Sequence, residues 1–216
     1  MRHGATTGSN LVIGPVDRRT EIVFAHETFY QRRRRREKNA VPFPYSLVMA
    51  LVAKVLTVSD SVYAHIRDDT ATPLLVARLE LAGFTVIERR LCPDGVEIVA
   101  SALRELCDGF SGLVVTTGGT GFSPRDLTPE ATAQVLEREA PGLGEAMRAT
   151  SPLGALSRSR AGTVGRVLVL NTPGSPRGAV ESLEAVLEIL PHALELLDQG
   201  QSEHPPETGG RTTTSS

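Results

Sequence analysis

The chain has 216 residues, 40% of them hydrophobic, and a formal net charge of −2, which suits one ordinary domain with some extra polar length. No stretch approaches the ~18 uninterrupted apolar residues that a membrane span requires. Cys92 and Cys107 fall in a strand pattern and a helix pattern rather than in a staple-like framework, so they read as reduced, buried thiols of a cytoplasmic protein.

Near-neutrality conceals a split. The first fifty residues carry nine Lys and Arg, including the run Arg32 to Arg36, against four acids, a net +5 that leaves −7 for the remainder. Residues 1–48 show no sustained periodicity and read as a disordered basic leader. Two other readings stay open: an arm that neutralises phosphates on a nucleic acid or an anionic surface, or a segment that is not translated, with Met49 as the start. Residues 199–216 are polar and rich in Pro, Gly and Thr, the composition of a tail.

Between them, residues 49–198 alternate. "AKVLTVSD" (53–60) is a β-branched apolar run, expected as a buried strand. Helical spacing follows over 73–81 and stops at Gly83. "FTVIERRL" (84–91) reads as a second strand. The stretch 96–110 then places Val99, Leu103, Leu106 and Phe110 on one helical face. "GLVVTT" (112–117) is a third strand, "PEATAQVLERE" (129–139) the next helix, and "RVLVLN" (166–171) a fourth strand. A leucine stripe from Val180 to Leu197 completes the series, interrupted at Pro191. This alternation predicts an α/β fold of three layers, a mostly parallel sheet with helices on both faces.

In such sheets ligands bind beyond the carboxyl ends of the strands. Four segments fall there: "SDS" (59–61), "CPDG" (92–95), "TTGGTGFSPRD" (116–126) and "NTPGSPRG" (171–178). The third is no Walker loop, because Phe122 follows Gly121 where a lysine is needed. Nor is it a dinucleotide fingerprint, because Pro124 stands where a third glycine is needed. It is still suited to anions. Gly118, Gly119 and Gly121 let backbone N–H groups approach a ligand, Thr116, Thr117, Thr120 and Ser123 add hydroxyls, and Arg125 adds a planar fork. Arg177 supplies a second cation from the "PGSPRG" loop.

Asp94 precedes a helix with Glu97 three residues on, so an N-cap role competes with a functional one. For Asp126 the cap is expected to be Thr128, with Pro129 at the first helical position, which leaves this carboxylate without a structural task. Two carboxylates at a phosphate-binding edge would hold Mg²⁺, the equipment of phosphoryl or nucleotidyl transfer. Neither His65 nor His192 has a partner at metal-ligand spacing.

"TTGGTGFSPRDLTPEAT", joined in order to "SDS…DDT", "CPDG", "ALSR" and "PGSPRG", resembles the molybdopterin-binding family. That family includes the bacterial Mog and MoaB proteins and the G domains of gephyrin and plant Cnx proteins. The resemblance covers about Ala53 to Asp198. It implies a three-layer α/β domain, usually trimeric and in some members hexameric. Its implied activity is molybdopterin adenylylation, with Mg²⁺ and with ATP and molybdopterin as substrates, ahead of molybdenum insertion by a partner.

By position, Asp94 and Asp126 match the family's two functionally important aspartates. Gly118 to Gly121 and Pro173, Gly174 and Ser175 match its ligand loops, and Ser157 and Arg158 match a further recurring stretch. Ser61 stands where many Mog proteins have arginine, and Asp69-Thr70-Ala71-Thr72-Pro73 lacks the glycine of the usual Asp-x-Ser-Gly-Pro. The implied reading is an active adenylyltransferase, with a non-catalytic MoaB-like pterin-binding or scaffold protein as the alternative.

Overall fold

The computed structural model describes residues 50–199. The basic leader, Met49 and the tail beyond Gln199 lie outside the described residues, and with them the expectations placed there.

Six strands form one sheet. β1 (Val52–Val58), β2 (Thr85–Cys92), β3 (Gly112–Thr117) and β6 (Val167–Thr172) run parallel, while β5 (Ala161–Val164) and β4 (Arg138–Glu139) add an antiparallel edge. The order is β2-β1-β3-β6-β5-β4. The central strands are apolar along their length because both faces are covered. In β3 and β6 every residue is buried.

The period-2 alternation of strands sorts these side chains between two cores. One contains Ala53, Val55, Leu113, Val115, Leu168 and Leu170. It lies under α2 (Ala71–Leu81), α5 (Pro141–Arg148), α6 (Pro176–Leu187) and α7 (Leu190–Gln199). The other contains Leu56, Val58, Val114, Val167 and Val169 under α3 (Val96–Cys107) and α4 (Thr128–Ala133). The three-layer architecture is therefore as expected. Both cysteines are free and buried, and burial pushes each thiol up to about 11.

Four local departures have physical reasons. The helix expected over 129–139 ends at Ala133, because the chain turns there to supply β4, whose Glu139 pairs with Gly162 of β5. Strand β5 had little apolar sequence to announce it. A left-handed Gly165 (φ 53) joins it to β6 in a tight hairpin. The leucine stripe is two helices, broken at Glu188 and Ile189, since Pro191 accepts only the first turn of a helix. The single turn α1 (Asp60–Tyr63), capped by Ser59, has no periodic signature at all.

Connectivity fixes where a ligand can enter. From β1 the chain crosses to β2 on one side through α2, and from β2 it crosses to β3 on the other side of β1 through α3. The strand order thus reverses between β1 and β3, leaving a crevice beyond their carboxyl ends.

Candidate functional site

A cavity of about 850 Å³ occupies that crevice. Its walls come from the ends of β1 and β3, the glycine loop after β3, the loop after β6, and the Ser151–Ser157 region. The glycine loop is shaped by its own backbone. Gly118 (φ 104) donates its N–H to the Thr172 carbonyl at 3.1 Å, and a Cβ there would overlap the Val58 carbonyl. Gly119 (φ 62) accepts from the Thr128 amide at 3.0 Å, and its missing Cβ would overlap Thr128 Oγ1. Both positions therefore require glycine.

The two aspartates lie over this turn. A Cβ on Gly119 would come 3.0 Å from Asp94 Oδ1, and one on Gly121 would come 2.9 Å from Asp126 Oδ2. The expectations about helix caps change here. The residue capping α3 is Gly95, and Asp94 instead accepts from the Asp60 amide at 2.7 Å. Thr128 is not the cap of α4, whose N-cap is Leu127. Thr128 lies inside the helix with its hydroxyl buried and unpartnered. Asp126 does have a structural bond, accepting from the Ser123 amide at 2.8 Å to close the Ser-Pro-Arg-Asp turn.

Burial pushes the Asp94 carboxyl above its ordinary range, a trend that the nearby Asp60 and Asp126 charges reinforce. Asp60 moves the other way, held low chiefly by its bonds from Arg125.

The arginines divide by direction. Arg125 turns off the cavity wall and forms a fork on Asp60 (Nε to Oδ2 2.9 Å, Nη2 to Oδ1 3.0 Å), with a further bond to the Asp94 carbonyl at 2.5 Å. Arg158 braces the glycine loop from behind. Its Nε donates to the Gly121 carbonyl at 2.9 Å, and it also reaches the Asp126 carbonyl and the Glu130 carboxylate. Neither of these arginines lines the cavity, and neither does Ser123.

Ser157 faces the cavity and bonds Thr120 Oγ1 at 3.2 Å. Pro173, Gly174 and Ser175 also line it. The Thr117 hydroxyl donates to the Pro173 carbonyl at 2.9 Å, and Gly174 abuts Gly118 so closely that a Cβ would stand 3.2 Å from its Cα. Ser175 caps α6 through the Gly178 amide.

Sequence reasoning singled out neither Arg67 nor Asp69 as site residues, and both line the cavity. Burial alone would raise the Asp69 carboxyl, but bonds from Thr72, Thr57 and the Ala71 amide outweigh it and hold the group low. The acidic pair in "DDT", directly before a helix, was the available signal.

The cavity lining is acidic. Asp68, Asp69, Asp94, Asp126 and Glu181 set five carboxylates against the guanidiniums of Arg67 and Arg177, a net −3. A polyphosphate entering such walls needs accompanying positive charge. Among the described residues no group of three or more His, Cys, Asp or Glu is arranged to hold a metal. An all-protein cage is therefore absent from them, whereas two carboxylates beside a backbone cradle fit Mg²⁺, which takes its other ligands from phosphates and water.

A family model described as "Probable molybdopterin binding domain" matches residues 54–192. The chain is 37% identical over 172 residues to the molybdopterin adenylyltransferase of Escherichia coli K12, covering 71% of this chain and 88% of that protein. It is 43% identical over 109 residues to the enzyme of the same name from Helicobacter pylori (48% of this chain, 62% of that one). It is 39% identical over 150 residues to the Drosophila melanogaster molybdenum cofactor synthesis protein cinnamon, covering 66% of this chain. The chain spans only a quarter of the cinnamon protein's length. The crystal structure of the molybdopterin biosynthesis enzyme MoaB from Thermus thermophilus superposes with a TM-score of 0.66 at 47% identity, over 68% of this chain and 96% of that one. With the matched region running from β1 into α7 and so containing every wall of the cavity, the chain belongs to the molybdopterin-binding family.

Proposed function

We propose that the protein is a molybdopterin adenylyltransferase of molybdenum cofactor biosynthesis, joining AMP from ATP to the terminal phosphate of molybdopterin. One observation carries this reading. Asp94 and Asp126 both overhang a glycine turn that no other residue type could form, inside a cavity large enough for a nucleotide beside a pterin. The relatives named molybdopterin adenylyltransferase support it.

In this reading an oxygen of the pterin phosphate attacks the α-phosphorus of ATP. The new P–O bond forms as the bond to the β-phosphate breaks, and pyrophosphate leaves with the electron pair. Asp94 and Asp126 would hold Mg²⁺, whose charge offsets that of the phosphates. The chain's own work is placement. The glycine loop turns N–H groups toward the phosphates, and Arg158 keeps that loop rigid from behind. Arg125 and Asp60 hold the Asp94 segment in register. No covalent enzyme intermediate is needed, since positioning and electrostatics account for transfers of this kind.

The proposal extends to a cytoplasmic homotrimer, or a hexamer, that passes adenylylated pterin to a molybdenum-inserting partner. No helix among the described residues is long and apolar enough to cross a membrane.

The test is incubation with molybdopterin, Mg²⁺ and ATP, following pyrophosphate and adenylylated pterin, with Asp126→Asn in parallel. Turnover by wild type and a loss of about 10²-fold or more in the variant are expected, on the scale of removing one electrostatic group from a transition state. Equal pterin binding by both proteins with no pyrophosphate from either would leave a pterin carrier instead.

A further inference from the structure

The arginines around the cavity differ in what already occupies them. Arg125 is held by Asp60, Arg158 by Glu130, and Arg177 by Glu181 at 2.6 Å. Arg67 lines the cavity and has no carboxylate partner among the described residues. Its side chain makes one long bond, Nη2 to Ser59 Oγ at 3.5 Å. In a lining of net −3, this is the cation least compensated from within the protein.

An exposed, unpaired arginine is ordinary by itself, but this one is placed at the cavity by the hydrogen-bonded ending of α1. His65 has φ 57, the only positive value at a non-glycine residue among those described. A left-handed residue just past the last turn is a common helix ending, and histidine enters that region more readily than most residues with a Cβ. The ending is closed by its own bonds: the His65 amide bonds the Val62 carbonyl at 3.0 Å, and the Ile66 and Arg67 amides both bond the Ser61 carbonyl, at 2.8 and 3.2 Å. The chain leaving α1 is thereby curled back on itself. Arg67 is delivered to the cavity rim beside Ser59, just past the end of β1.

We propose that Arg67 is a specificity-determining residue that binds a phosphate group of a ligand in this cavity. Its planar fork matches a phosphate's oxygens, and with no carboxylate to give up it forms those bonds without breaking an ion pair. The proposal rests on the reading of the cavity as a phosphate site. The phosphate belongs either to the nucleotide or to the pterin, and the two sources separate experimentally.

Binding of ATP, of inorganic pyrophosphate and of molybdopterin, each with Mg²⁺, is measured by calorimetry for wild type, Arg67→Gln and Arg67→Lys. Arg67→Gln is expected to raise Kd about tenfold for the ligand whose phosphate it holds, and Arg67→Lys about threefold, a point charge replacing the fork. Weakened ATP and pyrophosphate binding assigns the nucleotide, and weakened molybdopterin binding alone assigns the pterin. The variants' melting temperatures should stay within about 1 °C of wild type, because no folded-state ion pair is lost. Wild-type Kd values for all three ligands in Arg67→Gln would overturn the proposal, as would a wild type that binds none of them. A wild type that binds ATP but releases no pyrophosphate would count against adenylyl transfer and leave the Arg67 result readable.

Discussion

The backbone amides of Asp60 and Asp94 each donate to the other's carboxylate, at 2.7 Å into Asp94 Oδ2 and 3.0 Å into Asp60 Oδ1. This reciprocal pair ties the segments leaving β1 and β2. Asp60 also anchors Arg125, whose Nη2 returns to the Asp94 carbonyl. Asp60 does not line the cavity, so it acts on ligand only through Asp94. Asp60→Asn keeps an acceptor for the Asp94 amide but weakens the guanidinium fork, and Asp60→Ala removes both. Supporting bonds of this kind are typically worth about 10–100-fold in activity. Pyrophosphate release should fall about tenfold in Asp60→Asn and about a hundredfold in Asp60→Ala, mainly in kcat. Wild-type kcat in the alanine variant would show that Asp94 holds its position without this pair.

Asp94 is a carboxyl raised first by burial and then by the neighbouring Asp60 and Asp126 charges, despite the amide it accepts. A group of this kind binds more protons folded than unfolded. Its ionisation therefore costs stability: the cost is absent below the ordinary aspartate range, grows as pH rises through the raised value, and is complete at neutrality. Asp94→Asn removes the charge and keeps an oxygen for the Asp60 amide. In metal-free buffer at pH 7 the variant should melt higher than wild type, and the gain should vanish as pH falls toward the ordinary aspartate range. Calorimetric scans at pH 7 and in that range check both halves. A lower Tm at pH 7 would mean that Asp94 is stabilising as an anion.

The sheet's central strands were legible because "KVLTV", "GLVVTT" and "RVLVLN" are apolar on both faces, which only a covered parallel sheet demands. Their polar ends located the cavity for the same reason. What was not legible depends on contacts between segments distant in sequence. Asp94 followed by Val96 and Glu97 looks like a cap, and nothing local shows that the Asp60 amide, 34 residues away, takes its carboxylate. The Thr128-Pro129 pair looks like a helix start, whereas its amide is drawn to the Gly119 carbonyl and the helix begins one residue earlier than a Thr128 cap requires. The short strands β4 and β5 carry "RE" and "AGTV", too brief for a period of two to show. Arg67 carries no local signature, because what sets it apart is the lack of a carboxylate partner among the described residues, and partners are tertiary.

Asn171, fully buried at the end of β6, joins three segments. Its Nδ2 donates to Thr116 Oγ1 at 3.1 Å and to Thr132 Oγ1 at 3.0 Å, and its Oδ1 accepts from the Arg160 amide at 3.2 Å. It thereby fastens α4, the glycine-loop strand and the approach to β5 beneath the cavity. Asn171→Ala strands buried polar atoms on all three and should cost about 2–4 kcal/mol, the combined scale of a lost network and its unsatisfied groups. Urea denaturation measures it. A loss under about 1 kcal/mol would indicate that water replaces the amide and that the network is not what fixes the loop.

Gly118 and Gly83 separate backbone strain from overlap. Both have positive φ, 104 and 91, but a Cβ on Gly83 meets nothing within 4 Å, whereas one on Gly118 runs into the Val58 carbonyl. Gly83→Ala should therefore show the conformational penalty alone, about 1–2 kcal/mol. Gly118→Ala adds a collision with a backbone that cannot rotate away, since Val58 ends a strand paired on both sides with β2 and β3. Its cost should exceed ~3 kcal/mol, in the class of severe single substitutions. The two variants also diverge in binding: Gly83→Ala leaves the cavity untouched and should retain wild-type Kd for ATP, while Gly118→Ala displaces a turn that lines the cavity and should weaken ATP binding. Denaturation and ATP titration on both proteins decide the matter. Equal losses of stability for the two would mean that the glycine loop has room to shift, and the close backbone approach would then not be the reason position 118 is glycine.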